Sequence, residues 1–575
     1  MKTHVIPLKN RRKGYSLLMV VTLSGISMLV LAAALTWTMT NTTLNERSNQ
    51  YYNTLAAAEA ASEKILAYMA KDYQEQGEAR VWANRTAYHS RVPTSSECAL
   101  WGDFEFTDAQ GSAGTYVARL ANASFVPLDS QYQGLYGLAS TYRVVSNARM
   151  PNGQYDIRVG LKQDLQLASI PVFQFAIFYS VDLEINPGPN MTVTGRVHGN
   201  KNLYMQPQAT LSFLSDVTAA GSAIKDKSPL DPTIRSTNSS QWLFAINPES
   251  GRSALTLPIG TNNSPDSVHA ILEVPPDGES ANSAVGKQRY YNKADVVILV
   301  SNSSVTVKSG LVNAFGTAIP AFEYDAFLIT TNSFYDWREA KTIKTTEIDV
   351  AKFKEWSETN TSVRPLLGDL DTSSIYVADL RTNASTSIQY GVKVKNGKIL
   401  PDLGLTVATP NPLYVQGHFN APDAVLNINS TVGTKPASLV GDSINVLSTA
   451  WQDANSLLTV ANRVAANTTV NAAFLAGIVP SNGTTYSGGV ENFPRFLERW
   501  TGKTLTYNGS MVVMFHSKTA TRPWGSANVY NPPIRQWAFD LNFLDAAKLP
   551  PGTPAVRALI RGEWTTVKTG YVTGI

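Results

Sequence analysis

The chain has 575 residues, of which 43% are hydrophobic and 16% are charged, and its formal net charge is +4. Five basic residues precede Gly14; without them 43 basic residues face 44 acidic ones, and no basic stripe indicates nucleic-acid binding. Because Cys98 is the only cysteine, an intramolecular disulfide and a cysteine-based zinc site are both excluded.

An uncharged segment runs from Tyr15 to Asn45, and its most apolar part is residues 17–39. As a helix this part spans roughly 34 Å, which exceeds the ~30 Å hydrocarbon core of a bilayer. A cleavable secretion signal has a shorter apolar core of about 7–15 residues. The basic residues in front of it predict a cytoplasmic N-terminus and an exported body. The sequence therefore predicts a single-pass inner-membrane protein with an extracytoplasmic body.

Helical character continues beyond this segment. One apolar stripe at alternating spacings of four and three is formed by Tyr51, Leu55, Ala58, Ser62, Ile65 and Met69. We therefore expect one transmembrane and amphipathic helix over residues 15–78, preceded by a leader over residues 1–14.

The junction "RRKG" followed by "YSLL" resembles the class III leader of type IV pilins and pseudopilins. The resemblance implies that a prepilin peptidase cuts between Gly14 and Tyr15, and that the helix assembles with other pilin-like subunits. Glu46-Arg47, followed by an alanine-rich segment around Glu59, resembles the N-terminal module of PilX-type pilus assembly proteins. A plain anchor that is never cut remains the alternative.

One position departs from the pilin pattern. Major pilins carry a glutamate at the fifth mature position, where it neutralises the N-terminal amine of a neighbouring subunit. Counted from Tyr15, that position is Met19. A bundle subunit without the carboxylate leaves a buried amine unpaired, which is costly. Met19 therefore favours a minor or tip subunit, or an anchor that is not polymerised.

The rest of the chain predicts an α+β protein with a large, mainly β body. Residues 79–170 alternate polar and apolar side chains, which is typical of half-buried strands, and form the first predicted β domain. Residues 171–575 form the second, with short strands between turn signals that fit a β-solenoid or a sandwich, and no fixed repeat period is evident. An insertion is expected at about 226–290, and helices at 345–358 and 492–502.

No chemistry-bearing motif emerges, so the sequence predicts no catalytic residue, no metal site and no cofactor. His198 and His418 lie in similar Gly/Asn turns and are interpreted as turn residues. Two carboxylate pairs, Asp336 with Glu339 and Glu347 with Asp349, are interpreted as solvated ion-pairing groups.

The predicted function is a non-catalytic component of a type IV pilus or a type II secretion-like fibre, with its head at the cell surface. Its expected partners are other pilin-like subunits, a prepilin peptidase, the inner membrane and a surface or polysaccharide ligand. The alternative is a membrane-anchored extracellular protein with a β-solenoid that binds or degrades polysaccharide.

Overall fold

The computed structural model describes residues 15–260, 262–525, 527–567 and 572. A long N-terminal apolar helix precedes a large β-rich body, which makes the chain an α+β protein. Its α-helices are α1 (Tyr15–Gln76), α2 (Glu78–Tyr88), α3 (Pro265–His269), α4 (Tyr290–Lys293), α5 (Ala321–Tyr324) and α6 (Val350–Thr359). Short 3-10 helices lie at Ala99–Asp103, Ser130–Tyr132, Val172–Gln174, Gly286–Gln288, Val312–Ala314, Arg364–Leu367, Asp423–Val425, Asp453–Asn455, Val460–Asn462, Val490–Asn492, Leu541–Leu544 and Ala546–Lys548.

Helix α1 has 62 residues because its sequence contains no proline and a single glycine, Gly25. It ends at Gly77, whose φ of +81° lies in the left-handed region that favours glycine. The chain then re-enters a helix, α2, so residues 78–88 are helical and the predicted strands begin only after them.

An antiparallel sheet packs against the second half of α1. Long strands form here because apolar and polar side chains alternate along them. The strands of this antiparallel sheet are Glu105–Thr107, Tyr116–Pro127, Tyr136–Arg149, Arg158–Pro171 and Ala555–Val567. The last of them pairs with Arg158–Pro171, so the end of the chain returns to the sheet that its early part builds.

A ten-stranded sheet, called here the long sheet, runs through the body. Its neighbours are all parallel except the last pair, which is antiparallel. In spatial order its strands are Val217–Ala219, Val197–Gly199, Ile177–Tyr179, Met511–Val513, Ala473–Ala476, Ala437–Gly441, Leu405–Ala408, Ser374–Asp379, Val296–Val300 and Val305–Ser309.

Four further sheets accompany the long sheet, and most of their strands are also parallel. The seven-stranded one contains Leu328–Ile329, Ser333–Asp336, Lys341–Asp349, Ile388–Lys395, Pro412–Gln416, Ser443–Leu447 and Arg495–Phe496. The three-stranded ones contain Leu183–Ile185, Leu203–Met205 and Ala223–Ile224; Met191–Val193, Thr210–Phe213 and Gln241–Phe244; and Thr468–Asn471, Thr504–Gly509 and Ile534–Phe539.

The first turns of this parallel stack repeat every 20 residues. Ile177 is in register with Val197, and Val197 with Val217. Side chains cross between turns at the same offset, since Asn186 Oδ1 accepts from Gln206 N at 2.8 Å and Asn202 Oδ1 accepts from Ser222 N at 2.9 Å. The absence of a fixed period, inferred from the sequence, is therefore wrong for residues 177–224.

The chain enters and leaves the long sheet at its third and fourth strands. Strands run outward from Ile177–Tyr179 to Val217–Ala219. Residues 225–295, called here the crossing segment, include one further strand of this run, Gln241–Phe244, and then lead to the opposite end. From Val296 the strands run back until Met511–Val513 pairs with Ile177–Tyr179. Both runs progress along the stack in the same direction, so the end of the later run lies beside the start of the earlier one.

Hydrophobic side chains form three main layers of core. One fills the inside of the parallel stack. The second lies between the outer face of the long sheet and the antiparallel sheet. The third lies between α1 and the antiparallel sheet. Part of the crossing segment, including Leu255, Leu257 and Leu272, is buried in the second layer, so the segment is not a simple surface excursion.

Two predicted helices need correction. Residues 345–349 belong to the strand Lys341–Asp349, and the helix begins at Val350. Asp349 caps this helix, because its Oδ1 accepts a hydrogen bond from the backbone N–H of Lys352. Val350, Phe353 and Trp356 are buried on one side of it, as predicted. Residues 492–502 form no α-helix, since Arg495–Phe496 pairs with the strand Ser443–Leu447 and buries Phe496 in the core.

Candidate membrane and assembly helix

The first half of α1 stands clear of the body. None of residues 15–49 is buried, and they extend over roughly 52 Å at the ordinary rise of a helix. The most apolar 18-residue window of α1 has a mean hydropathy of 2.4 and is entirely outside the core. By length and composition this half can cross a membrane.

Several threonine hydroxyls of this half are satisfied within the helix. Thr36, Thr38 and Thr40 donate their hydroxyls to the carbonyls four residues earlier, each at 2.8 Å. A hydroxyl paired in this way demands no water, so the threonine-rich stretch tolerates an apolar environment.

The predicted processing site lies at the start of this helix. Gly14 lies outside the described residues, while Tyr15 is the first residue of α1. Tyr15 and Met19 are exposed, at 66% and 67%. Met19 therefore presents an apolar side chain where the pilin pattern expects a carboxylate, and cleavage after Gly14 stays a prediction.

Glu46 and Arg47 lie just outside the uncharged segment and contact a loop of the body. Tyr155 Oη donates to Glu46 Oε2 at 3.3 Å, and the Arg47 guanidinium lies 5.6 Å from the Tyr155 ring centre. One turn further on, Gln50 exchanges two hydrogen bonds with the backbone of Tyr155. Glu59 is half-buried beside the alanines that pack on the sheet. Glu46 and Arg47 thus mark the level where α1 meets the body.

The second half of α1 packs on the antiparallel sheet through one stripe. Of the six predicted stripe residues, Ala58, Ser62, Ile65 and Met69 are buried, while Tyr51 and Leu55 are half-buried. Small residues lie at the closest approach, where Ala57, Ala58 and Ala61 contact Phe104, Phe106, Ala148 and Leu161. Larger side chains follow, with Ile65, Leu66, Met69 and Tyr73 against Tyr142, Val144, Leu165 and Leu167.

The C-terminal end of α1 is held by the last strand of the chain. Arg557 Nη1 donates to the carbonyls of Tyr73 and Gln74, at 3.0 and 2.9 Å. Gln74 Nε2 donates in return to the Arg557 carbonyl at 3.0 Å, and its Oε1 accepts from Thr256 at 3.0 Å. Sequence reasoning missed this clamp, because its partners are more than 180 residues apart and no local pattern marks them.

The two carboxylate pairs are buried rather than solvated. Glu339 is 3% exposed and lies 2.9 Å from Arg495, and burial raises its pKa. Glu347 is fully buried between Lys393 and Lys395, and the charge of Lys393 holds its pKa low against the opposing effect of burial. Glu339 and Glu347 are each matched by a strand-borne cation that lies at least 46 residues away in the sequence, whereas Asp336 accepts from Tyr414 Oη at 2.8 Å and Asp349 caps α6.

The two turn histidines do not converge. His198 is buried, bonded to Thr218 Oγ1 at 2.8 Å and Asn200 Oδ1 at 3.0 Å, and burial lowers its pKa to about 4. His418 Nδ1 accepts from Thr469 N at 3.1 Å. Within residues 15–260, 262–525, 527–567 and 572, His, Cys, Asp and Glu side chains form no group that could hold a metal ion.

Comparison with solved structures gives a distant likeness. No family model and no curated protein matches this chain. Among solved structures, the chain is similar to the competence-associated pilin ComZ from Thermus thermophilus, with a TM-score of 0.29 and 11% sequence identity. That alignment covers 90% of this chain and 97% of the other.

Proposed function

We propose that this protein is a pilin-like, PilX-type structural subunit: a non-catalytic minor or tip component of a type IV pilus or type II secretion-like fibre. The observation that carries the proposal is the division of α1. None of residues 15–45 is buried in the described part of the chain, while its second half is packed along the antiparallel sheet. Such a helix serves to insert into an apolar environment and to hold a head outside it.

The size of the bare surface supports an apolar surrounding for the first half. Fifteen large apolar side chains between residues 15 and 39 are more than half exposed: Tyr15, Leu17, Leu18, Met19, Val20, Val21, Leu23, Ile26, Met28, Leu29, Val30, Leu31, Leu35, Trp37 and Met39. Burying one such side chain fully is worth about 1.5–3 kcal/mol. Lipid before assembly and neighbouring subunit helices after it provide that burial in turn.

The joint between helix and head suits a subunit that transmits force. The Arg557 clamp, the Gln50–Tyr155 exchange and the apolar stripe tie α1 to the head over seven turns. Because Arg557 belongs to the strand Ala555–Val567, a force on α1 acts at once on the early and the late strands of the head. A flexible tether would place glycine and proline here instead.

Met19 supports a minor or tip position over a major one. The first half of α1 contains no carboxylate from Tyr15 to Asn45, so it offers nothing to the N-terminal amine of a neighbouring subunit. At the tip no subunit lies beyond it, and the missing carboxylate costs nothing there.

The parallel stack supports a β-solenoid as the architecture of the head. Parallel strands in register, with a 20-residue offset in the first turns, are the pattern that stacked coils produce. A solenoid of this kind projects a rigid surface away from the helix, which is the geometry of a display head at the cell surface.

Mass spectrometry of the N-terminal peptide, isolated from membranes, tests the proposal. The account predicts a chain that starts at Tyr15 with a methylated amine, and loss of this processing in cells without a prepilin peptidase. A peptide that starts at Met1, or a cut near Ala34, would contradict it.

A matched pair of glycine variants controls for effects on insertion. Gly14→Val should block processing, because the cut follows Gly14. Gly25→Val should leave processing unchanged, since a Cβ at Gly25 meets nothing within 4 Å. Equal processing of the two variants would contradict cleavage after Gly14.

A further inference from the structure

Where the two runs of strands meet, the carboxyl ends of their strands lie at one edge of the long sheet. Parallel strands end at the same edge, so the residues after Ile177–Tyr179, Val197–Gly199, Ala473–Ala476 and Met511–Val513 lie together there. After Ile177–Tyr179 the chain moves on to one run, and Ala473–Ala476 belongs to the other. The end of the later run and the start of the earlier one therefore share this carboxyl edge.

The structure has a cleft at this position, with a volume of about 700 Å³. Its floor carries Ser180, Asp182, Lys201, Ile478 and His516, each of which follows one of these four strands. Residues 228–230 and 263–265 of the crossing segment form the facing wall. A volume of this size falls within the usual range for small-molecule sites.

One wall of the cleft includes a buried acid with spare hydrogen-bonding capacity. Glu184 is 5% exposed; its Oε1 accepts from Ser481 Oγ at 2.6 Å and from Ser487 Oγ at 3.1 Å. Its Oε2 has no hydrogen-bond partner among the described residues. Buried carboxyl oxygens rarely lack a hydrogen-bond partner, so this oxygen can accept a hydrogen bond from a ligand.

The charges of the cleft favour a neutral ligand. Asp182 and Lys201 place one charge of each sign in the lining, and burial raises the pKa of Glu184 to about 7, so an anion meets Asp182 and a cation meets Lys201. His516 adds no cation at neutral pH, because burial lowers its pKa.

The remaining lining alternates between hydroxyls or amides, at Ser180, Ser264 and Asn263, and apolar surface at Val181, Ile478 and Pro480. Sugar rings present this same alternation, with hydroxyls at the edge and C–H groups on the faces.

We propose that this cleft binds a segment of a neutral carbohydrate chain. Asp182 and Lys201 bond its hydroxyls, and Ile478 and Pro480 contact the faces of its rings. The proposal concerns the head alone, so the result of the processing experiment does not affect it.

Titration of the full chain with neutral hexasaccharides tests the proposal. The probes are maltohexaose, cellohexaose and chitohexaose, measured by calorimetry in a detergent without a sugar head group. We expect at least one probe to bind with a Kd of about 1 mM or tighter. Asp182→Asn together with Lys201→Met should weaken that binding tenfold or more.

A charge-matched variant at the other edge of the sheet is the control. Asp402 and Lys435 form an ion pair of 3.0 Å just before the strands Leu405–Ala408 and Ala437–Gly441, at the amino edge. Asp402→Asn with Lys435→Met should leave the Kd unchanged.

A second cleft variant, Leu230→Trp, adds bulk to a half-exposed wall residue and should also weaken binding, while its urea midpoint shows whether the fold is kept. Binding that survives both cleft changes, or no binding of any probe, would overturn the proposal.

Discussion

Arg557 shows how much of the helix–head joint depends on one side chain. The last carbonyls of a helix need partners beyond it; at the end of α1 those of Tyr73 and Gln74 accept from a single guanidinium, and that of Tyr73 also accepts from Gly77 N at 2.9 Å. The positive charge also lies at the end of the helix where the backbone dipole is negative. The contact is partly buried, so solvent competes with it less than at the surface.

Replacing Arg557 with methionine keeps most of the stem and removes both bonds. We expect the free energy of unfolding to fall by about 2 kcal/mol, the usual loss for bonds to a charged group. Urea unfolding of the full chain in detergent measures it. The control is Arg561→Met four residues on, where the ion pair with Glu63 is about half exposed on both sides and is worth ~0–1 kcal/mol. Equal losses in the two variants would refute the clamp.

A second residue-scale effect concerns buried acids. Burial raises the pKa of Glu498 from 4.5 to about 7, against hydrogen bonds from Ser448 N and Oγ at 2.6 and 2.7 Å. Between pH 4.5 and 7 the folded chain therefore keeps a proton that the unfolded chain has released. The free energy of unfolding must fall as the pH rises through this window.

Glu498→Gln should remove about 3 kcal/mol of that fall, because the amide does not ionise. Urea midpoints at pH 4.5, 5.5 and 7 measure the slope. Glu97→Gln is the comparison: Glu97 is exposed and its pKa is lowered, chiefly by Lys64, so between pH 5.5 and 7 it is ionised in both states and contributes little to the fall. If Glu498→Gln leaves the change of the urea midpoint with pH as it is, Glu498 ionises at its ordinary pKa.

At the scale of elements, the two halves of α1 differ in the pattern of their apolar side chains although they form one continuous helix. The first half is apolar on every side, which is typical of a helix surrounded by lipid or by other helices. The second half buries a single stripe from Thr54 to Tyr73 and leaves its charged residues outside. The switch between them occurs at Glu46 and Arg47, where the first contacts with the body begin.

The 20-residue turns of the stack predict that one turn can be removed as a unit. Deleting residues 197–216 brings Val217 into the register position of Val197 beside Ile177, so the apolar positions stay inside. We expect this variant to fold, with a lower urea midpoint because one layer of core is lost. Deleting residues 197–213 instead shifts the register by three and should give an insoluble chain. Solubility and circular dichroism compare the two, and equal behaviour would contradict the repeat.

At the scale of the whole molecule, local patterns predicted local structure and failed where distant segments meet. The α1 helix, the strands of residues 116–171 and the buried side of α6 follow from periodicity alone. The return of Ala555–Val567 to the first sheet does not, because strand partners are chosen by the fold. The domain boundaries at 79, 171 and 226 stay predictions.

The candidate sites divide in the same way. Tyr15, Met19, Glu46 and Arg47 were predicted from short motifs within one helix, and their roles in processing and assembly stay predictions. The cleft around Asp182 was not, since its wall comes from strands that lie some 300 residues apart in the chain. The burial of Glu347 was missed for the same reason, because Lys393 reaches it only through the pairing of two strands.

The central claim is that the bare half of α1 packs among the helices of other subunits in a fibre. A photo-reactive benzoylphenylalanine at Met28, which is 75% exposed, tests it most directly. Phe322, 79% exposed on the head, is the control position. The account predicts that only the probe at position 28 cross-links to the N-terminal helix of another pilin-like subunit, in fibres sheared from cells. Cross-links to lipid alone, with no chain in the sheared fraction, would contradict it.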